Sequence, residues 1–142
     1  MRHLKSGRKL NRKPAHRQAL MCSLAAALFE HEAIVTTRPK AKEAQKFAER
    51  LITIAKRGRE RANLLAARRT VASRLRDEAM AKKVCEEIAP RFGERNGGYT
   101  RILKLAGVRK GDGGSQVRLE LTEIRKKEKE EKKGKKSKAD KK

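Results

Sequence analysis

Large apolar residues, the material of a protein core, are confined to the middle of this 142-residue chain. The first thirteen residues contain three apolar side chains, and no large apolar side chain follows Ile124. Because apolar burial must offset the conformational entropy lost on folding, only the intervening segment can form a compact domain. The sequence therefore predicts a basic extended arm at residues 1–13, one domain at residues 14–124 and a Lys-rich disordered tail at residues 125–142.

The charge of the chain is strongly unbalanced, since 40 Lys and Arg face 17 Asp and Glu and give a net charge of +23. Self-repulsion of this size strains a compact state, and a polyanion would relieve it. Nucleic acid is the expected polyanion, because Lys and Arg release the counterions condensed on its phosphates. A membrane surface is the rival, but no segment has the length of a membrane-spanning helix and the cations form several blocks.

The N-terminal arm concentrates this charge, with seven Lys and Arg in residues 1–17 and no acid before Glu30. Transit peptides share an Arg-rich, acid-poor composition, but Gly7 and Pro14 would interrupt a targeting helix. A solvated arm without a partner is the remaining alternative, because runs of like charge repel. We predict that the arm binds nucleic acid.

Hydrophobic periodicity predicts four helices and three strands, which make an α+β domain. The helices are expected at residues 14–32, 39–57, 59–75 and 77–89, and the strands at residues 33–37, 99–106 and 116–124. Alternation in the last strand predicts a sheet with one buried face and one wet face.

No pattern of catalytic or metal-binding residues is found. The three His residues are scattered, and the Gly-rich segments GDGGS and NGGY lack the spacing of a phosphate-binding loop. Cys22 and Cys85 lie within apolar helical stripes and are predicted to be buried thiols, as suits a reducing cytoplasm. We expect no enzyme activity, no metal and no cofactor.

A second candidate contact segment is RNGGYTR, at residues 95–101. Gly97 and Gly98 would let the backbone approach a ligand closely, with polar donors on both sides. An ordinary turn before a strand explains the same residues equally well. Since Phe29 and Phe47 fall within apolar stripes, phosphate and shape recognition is favoured over base stacking.

The segment HEAIVTTRPKAKEAQKFAERLITIAK resembles the signature region of the bacterial large-subunit ribosomal protein seventeen family. RHLKSGRKLNRKPAHR resembles that family's opening segment, and EEIAPRFGERNGGYTRILKLAGVRKGD its later one, in the same order. The resemblance spans residues 1–124. It implies a two-layer α+β domain, with a small mixed three-stranded sheet packed on about four helices, near the exit of the peptide tunnel in the large ribosomal subunit.

Carried over by position, the resemblance implies contacts with ribosomal RNA in three segments. The opening segment supplies Arg2, His3, Lys5, Arg8, Lys9, Arg12, Lys13, His16 and Arg17. The signature region supplies Thr36, Thr37, Lys40 and Lys42, and the later segment supplies Arg95, Asn96, Tyr99 and Arg101. Arg68 and Arg69, from the cations of the third predicted helix, complete the predicted contacts. The sequence departs from the family pattern at Ala33, where members often carry a polar residue.

The expected function is that of a structural protein of the bacterial large ribosomal subunit, which binds ribosomal RNA and supports assembly. Its expected partners are this RNA and neighbouring ribosomal proteins, with no membrane and no small-molecule substrate. Composition alone also allows a nucleoid-type architectural protein that binds DNA. An RNA-processing enzyme would need a carboxylate cluster, whereas the acids concentrate in the fourth predicted helix and the tail.

Overall fold

The computed structural model describes His3 and residues 7–124. The elements in chain order are α1 (Pro14–His31), β1 (Ala33–Thr37), α2 (Arg38–Glu60), α3 (Leu64–Leu75), α4 (Glu78–Lys83), a π-helical segment (Val84–Ile88), α5 (Ala89–Arg91), β2 (Thr100–Val108) and β3 (Ser115–Leu121). The predicted α+β class is confirmed, and the fourth predicted helix corresponds to α4, the π-helical segment and α5. The predicted disordered tail, Arg2 and Lys5 lie outside the described residues.

The three strands form one sheet in the order β1-β3-β2, and both neighbouring pairs are antiparallel. Leu119 of β3 lies between Ile34 of β1 and Ile102 of β2. The mixed sheet implied by the family resemblance is therefore wrong. β1 and β2 do run in the same direction, but β3 lies between them and pairs with both, so that no parallel pair forms.

Local sequence signals set several helix ends. Pro14 occupies the first turn of α1, where its missing N–H leaves no hydrogen bond unmade. The side chain of Asp77 caps α4 by accepting a hydrogen bond from the Met80 amide at 3.0 Å. Thr37 holds the N-cap position of α2, although its side chain makes no capping hydrogen bond in the structure.

The core lies between the helices and one face of the sheet. Its largest buried side chains include Leu28 and Phe29 of α1, and Leu51 and Ile52 of α2. From the sheet, Val117, Leu119 and Leu121 complete it, as the predicted alternation required. Both cysteines are buried free thiols as predicted, and burial raises the pKa of the Cys85 thiol.

Gly58 lies inside α2 and does not end it, contrary to the sequence-based expectation. A Cβ placed on Gly58 would lie 2.1 Å from the Cβ of Ala67 on α3, far below any van der Waals contact. The glycine is therefore needed for the close approach of α2 and α3.

We expect Gly58→Ala to destabilise the fold despite the better helix propensity of alanine. Overpacking costs about 1–3 kcal/mol, whereas replacing a helical glycine gains at most about 1 kcal/mol. Urea denaturation should show a lower free energy of unfolding. In an Ala67→Gly background the same change should be neutral or stabilising, and an equal loss in both backgrounds would contradict the steric explanation.

Candidate nucleic-acid interface

The described part of the N-terminal arm folds back onto the first turns of α2. Nε of Arg8 lies 3.8 Å from Oε1 of Glu43, and Gly7 lies beside the same carboxylate. The amide of Arg12 donates to the Lys9 carbonyl at 3.2 Å, across a turn in which Leu10 and Asn11 have positive φ. These contacts give the arm a defined path beside α2.

Arg12 is the most constrained cation of the arm. Its Nη1 donates to the Leu10 carbonyl at 2.8 Å, while its Nε is buried and has no hydrogen-bond partner within the described chain. A buried, unpaired N–H carries a desolvation cost. An anionic oxygen reaching this guanidinium would remove that cost, as a phosphate does when it binds arginine.

A row of four cations runs along the solvent-facing side of α2. They are Lys42, Lys46, Arg50 and Arg57, and their spacings of four, four and seven residues place them on one helical face. All four are exposed, and in the part of the chain that the structure describes none of them forms an ion pair. We call this row the α2 ridge.

Three members of the α2 ridge, Lys46, Arg50 and Arg57, were not among the predicted contacts. Their helical spacing with Lys42 was visible in the sequence and could have identified them. Lys40 was predicted together with Lys42, but side chains two residues apart on an α-helix point about 200° apart, so the two lysines lie on different flanks of α2.

The loop at residues 93–98 is tied to α2 at both ends. Nζ of the buried Lys56 donates to the Arg95 carbonyl at 2.9 Å. At the other end, Oε1 of Glu49 accepts a hydrogen bond from the Thr100 hydroxyl at 2.9 Å, and Nε2 of Gln45 donates to the Thr100 carbonyl at 3.2 Å. Because all three anchors belong to α2, the loop has a fixed position relative to the α2 ridge.

The tip of this loop is exposed and has a conformation that suits glycine. Gly98 has a φ of +62°, and no heavy atom lies within 4 Å of a Cβ placed on Gly97 or Gly98. Asn96 is also exposed. The tip can therefore present backbone N–H groups to an oxygen ligand at close range.

The two arginines predicted at this segment already have partners within the protein. Nε of Arg95 lies 3.6 Å from Oε1 of Glu123, and Nε of Arg101 lies 2.6 Å from Oε1 of Glu120. Both side chains remain about half exposed, so their other guanidinium nitrogens can still reach a ligand.

Tyr99 was predicted as a contact, but the structure places its side chain in the core. Its ring is 3% exposed and packs edge-on against Phe92, with the ring centroids 5.2 Å apart. Tyr99 lies just before β2, outside the alternation that buries Thr100 and exposes Arg101, and its buried ring packs beneath the loop, where it does not reach a ligand.

The other predicted contacts are distributed unevenly. Lys9, Lys13 and His16 are exposed around the start of α1, Arg17 is half buried there, and His3 is exposed. Thr36 and Thr37 are half buried at the end of β1, immediately before α2. On α3, Arg68 is half buried and Arg69 is exposed. Burial raises the pKa of Cys85, and the nearby positive charge of Arg68 partly opposes that rise. No described contact joins either arginine to the arm or the loop.

We expect Glu49→Ala to loosen the loop and destabilise the protein by about 1–3 kcal/mol, the cost of leaving buried donors unsatisfied. The reason is that the Thr100 hydroxyl and amide, both on a buried residue, would lose their acceptor. Urea denaturation should detect the loss. The exposed Glu94 is the matched control, because Glu94→Ala removes the same charge from a surface position and should change stability by less than about 0.5 kcal/mol. Equal effects would contradict the anchoring role of Glu49.

The acids of the fourth helical region form a face of opposite character. Glu78, Glu86 and Glu87 are exposed there, and Nζ of Lys82 lies 4.0 Å from Oε2 of Glu86. Residues 38–76, in contrast, contain thirteen cations and three acids. An extended anion would be attracted to α2 and repelled by the acidic region.

No other feature of the described chain suggests a different ligand. An open cavity of about 540 Å³ is lined by both arginines and glutamates, including Arg91, Arg95, Glu94 and Glu123. No group of three or more metal-ligating side chains is found in the described residues, and no described helix is long and apolar enough to cross a membrane.

Comparison with known proteins identifies the family. The family model described as ribosomal protein L17 matches residues 20–122. The chain belongs to the ribosomal protein L17 family. Proteins named large ribosomal subunit protein bL17 from two strains of Thermus thermophilus are each 52% identical over 123 residues, covering 87% of this chain and 100% of the relative. A protein of the same name from Allorhizobium ampelinum is 49% identical over 123 residues, covering 87% of this chain and 83% of the relative.

Membership of the ribosomal protein L17 family confirms the resemblance seen in the sequence. A ribosomal protein of this family is a structural component of the ribosome and not an enzyme. The whole arm and residues 14–19 of α1 precede the segment matched by the family model, so the role of these residues is argued from the charge and geometry described above.

Proposed function

We propose that this protein binds the RNA of the large ribosomal subunit through the N-terminal arm, the α2 ridge and the tip of the 93–98 loop. The observation that carries the proposal is the row of exposed, unpaired cations on α2, between a packed basic arm and an anchored loop in the described part of the chain. Such cations bind phosphates without reading the base sequence, and a fixed arrangement recognises the shape of a folded RNA.

The relatives named as large ribosomal subunit proteins support the same role for this chain in the bacterial cytoplasm. We propose that it lies near the exit of the peptide tunnel, next to other ribosomal proteins, as the family resemblance implies. There the arm would fill a groove between RNA segments and screen phosphates that otherwise repel one another. This screening would support assembly of the subunit.

Binding to different nucleic acids tests the proposal. At matched salt, the free protein should bind folded large-subunit RNA about a thousandfold more tightly than random duplex DNA, the low end of the range for specific over non-specific binding. The rival function, compaction of DNA by an architectural protein, predicts no preference for RNA. Equal affinities across a salt titration would favour that rival, and co-sedimentation with large subunits after a moderate-salt wash would independently oppose it.

A further inference from the structure

The sheet has an outer face that the helices do not cover. Two rows of side chains cross it in the observed register. One row contains Ala33, Glu120 and Arg101, and the next contains Val35, Arg118 and Leu103. In the second row Val35 is 58% exposed and Leu103 is 42% exposed, so two aliphatic side chains flank an arginine on an open surface.

The two arginines of this outer face are partly neutralised within the protein, because they share one glutamate. Glu120 belongs to the outer face, yet it is 2% exposed, because Arg101 and Arg118 cover it. Nε of Arg101 lies 2.6 Å from one of its carboxylate oxygens, and Nε of Arg118 lies 2.7 Å from the other. The outer face therefore carries much less uncompensated charge than the α2 ridge.

This combination suits a protein ligand better than RNA. A phosphate would gain nothing from Val35 and Leu103, and two arginines that share one buried glutamate attract it less than do the four cations of the α2 ridge, which are unpaired within the described chain. Protein interfaces are enriched in arginine and depleted in lysine, and their buried centre is more apolar than the rest of the surface, which suits two arginines flanked by Val35 and Leu103. The arginines keep Nη groups at half-exposed positions, where carboxylate or carbonyl oxygens of a partner could accept hydrogen bonds.

The size of the face argues against a second copy of the chain. Three strands about 4.8 Å apart and about five residues long, at about 3.3 Å per residue, present roughly 250 Å². A stable interface buries about 800 Å² on each partner. Two such faces would not hold a dimer together, whereas a partner that is also held by RNA needs only a small contact.

We propose that the outer face of the sheet docks an extended segment of a neighbouring ribosomal protein, with aliphatic side chains on Val35 and Leu103 and acceptor oxygens on Arg101 and Arg118. This inference rests on the proposed function, because the RNA scaffold supplies the rest of the binding. It assigns protein contacts to the sheet and RNA contacts to α2, on separate surfaces of the domain.

Photocrosslinking in the assembled particle tests this assignment. Full-length chains would carry the photoreactive residue p-benzoylphenylalanine at Val35, at Leu103 or, as the control, at Lys46 of the α2 ridge. All three positions are at least partly exposed, and incorporation is checked by sedimentation of the large subunit. After irradiation of purified subunits, the chains modified at Val35 and Leu103 should shift on a denaturing gel by the mass of one other ribosomal protein. The chain modified at Lys46 should instead form an adduct with RNA, and the crosslinked nucleotides should lie near the tunnel exit.

The outcomes separate the two proposals. RNA adducts at Val35 and Leu103, adducts with a second copy, or no adduct at either position while Lys46 crosslinks to RNA would each overturn the docking inference. Protein adducts at the sheet positions together with no RNA adduct at Lys46 would support docking and count against the RNA-binding role of the α2 ridge.

Discussion

The substitution Phe92→Ala is expected to lower the free energy of unfolding by about 3–5 kcal/mol, the usual cost of removing a fully buried aromatic side chain. Phe92 is completely buried, and its ring packs at 61° to that of Tyr99. These two residues stand on either side of the 93–98 loop, so the cavity would open directly beneath the candidate contact segment. We therefore expect the loop to lose order together with the core.

Urea denaturation and hydrogen exchange measure the two parts of this prediction. The Thr100 amide, which donates to Glu49 in the intact protein, should exchange faster in the variant. Phe92→Leu keeps much of the buried volume and should cost markedly less, while Val108→Ala, at an exposed position of β2, should change stability by less than about 0.5 kcal/mol. A loss below about 1 kcal/mol for Phe92→Ala would mean that the ring is not a support of the core.

Elements with local signals were predicted closely. The five β-branched and small residues Ala33–Thr37 form β1 as predicted, and α1 begins at Pro14 and ends one residue before the predicted boundary. In both cases a proline or a sharp change in periodicity lies at the boundary, so the information is local.

Elements that depend on distant contacts were predicted less well. The apolar periodicity of the third predicted helix includes Leu64, Leu65, Val71 and Leu75. Val71 and Leu75 are buried as this pattern predicts, but Leu64 and Leu65 are exposed, and α3 buries Ala67 in addition. Contact with Gly58 selects the small side chain of Ala67 for the helix interface. The π-helical segment and the central place of β3 likewise follow from packing that one sequence does not reveal.

The residues of the candidate site show the same division between local sequence signals and distant contacts. Charge patterning predicted an RNA-binding arm, and the family resemblance predicted a contact at Lys42, which the structure places at an exposed position of α2. It could not show that Arg101 binds a buried glutamate, which depends on strand pairing, or that the Tyr99 ring faces the core, which depends on packing against Phe92. Sequence charge therefore predicts the presence of an anion-binding surface, while the fold decides which cations remain free to form it.

Removal of residues 2–13 is expected to weaken binding to large-subunit RNA strongly and to make it less sensitive to salt. Six Lys and Arg leave with this segment, and each phosphate that is no longer neutralised makes the slope of log affinity against log salt shallower by about 0.7–0.9. The slope should therefore fall by at most about 4–5 units. The buried core residues of the described chain begin at Cys22, outside the removed segment. The fold should therefore persist, and the circular dichroism spectrum should keep its helical shape.

A matched pair of double variants separates position from net charge. Lys9→Gln with Lys13→Gln removes two positive charges from exposed positions of the arm, and Lys82→Gln with Lys83→Gln removes two from the acidic helical region. If phosphates lie along the arm, the first pair should flatten the salt dependence by up to about 1.4–1.8 units, and the second should leave it nearly unchanged. Equal slopes for the two proteins would show that the arm acts only through the total charge of the chain. An unchanged slope after removal of residues 2–13 would mean that the arm is merely solvated and that the helical residues 38–76, which include the α2 ridge, carry the phosphate contacts.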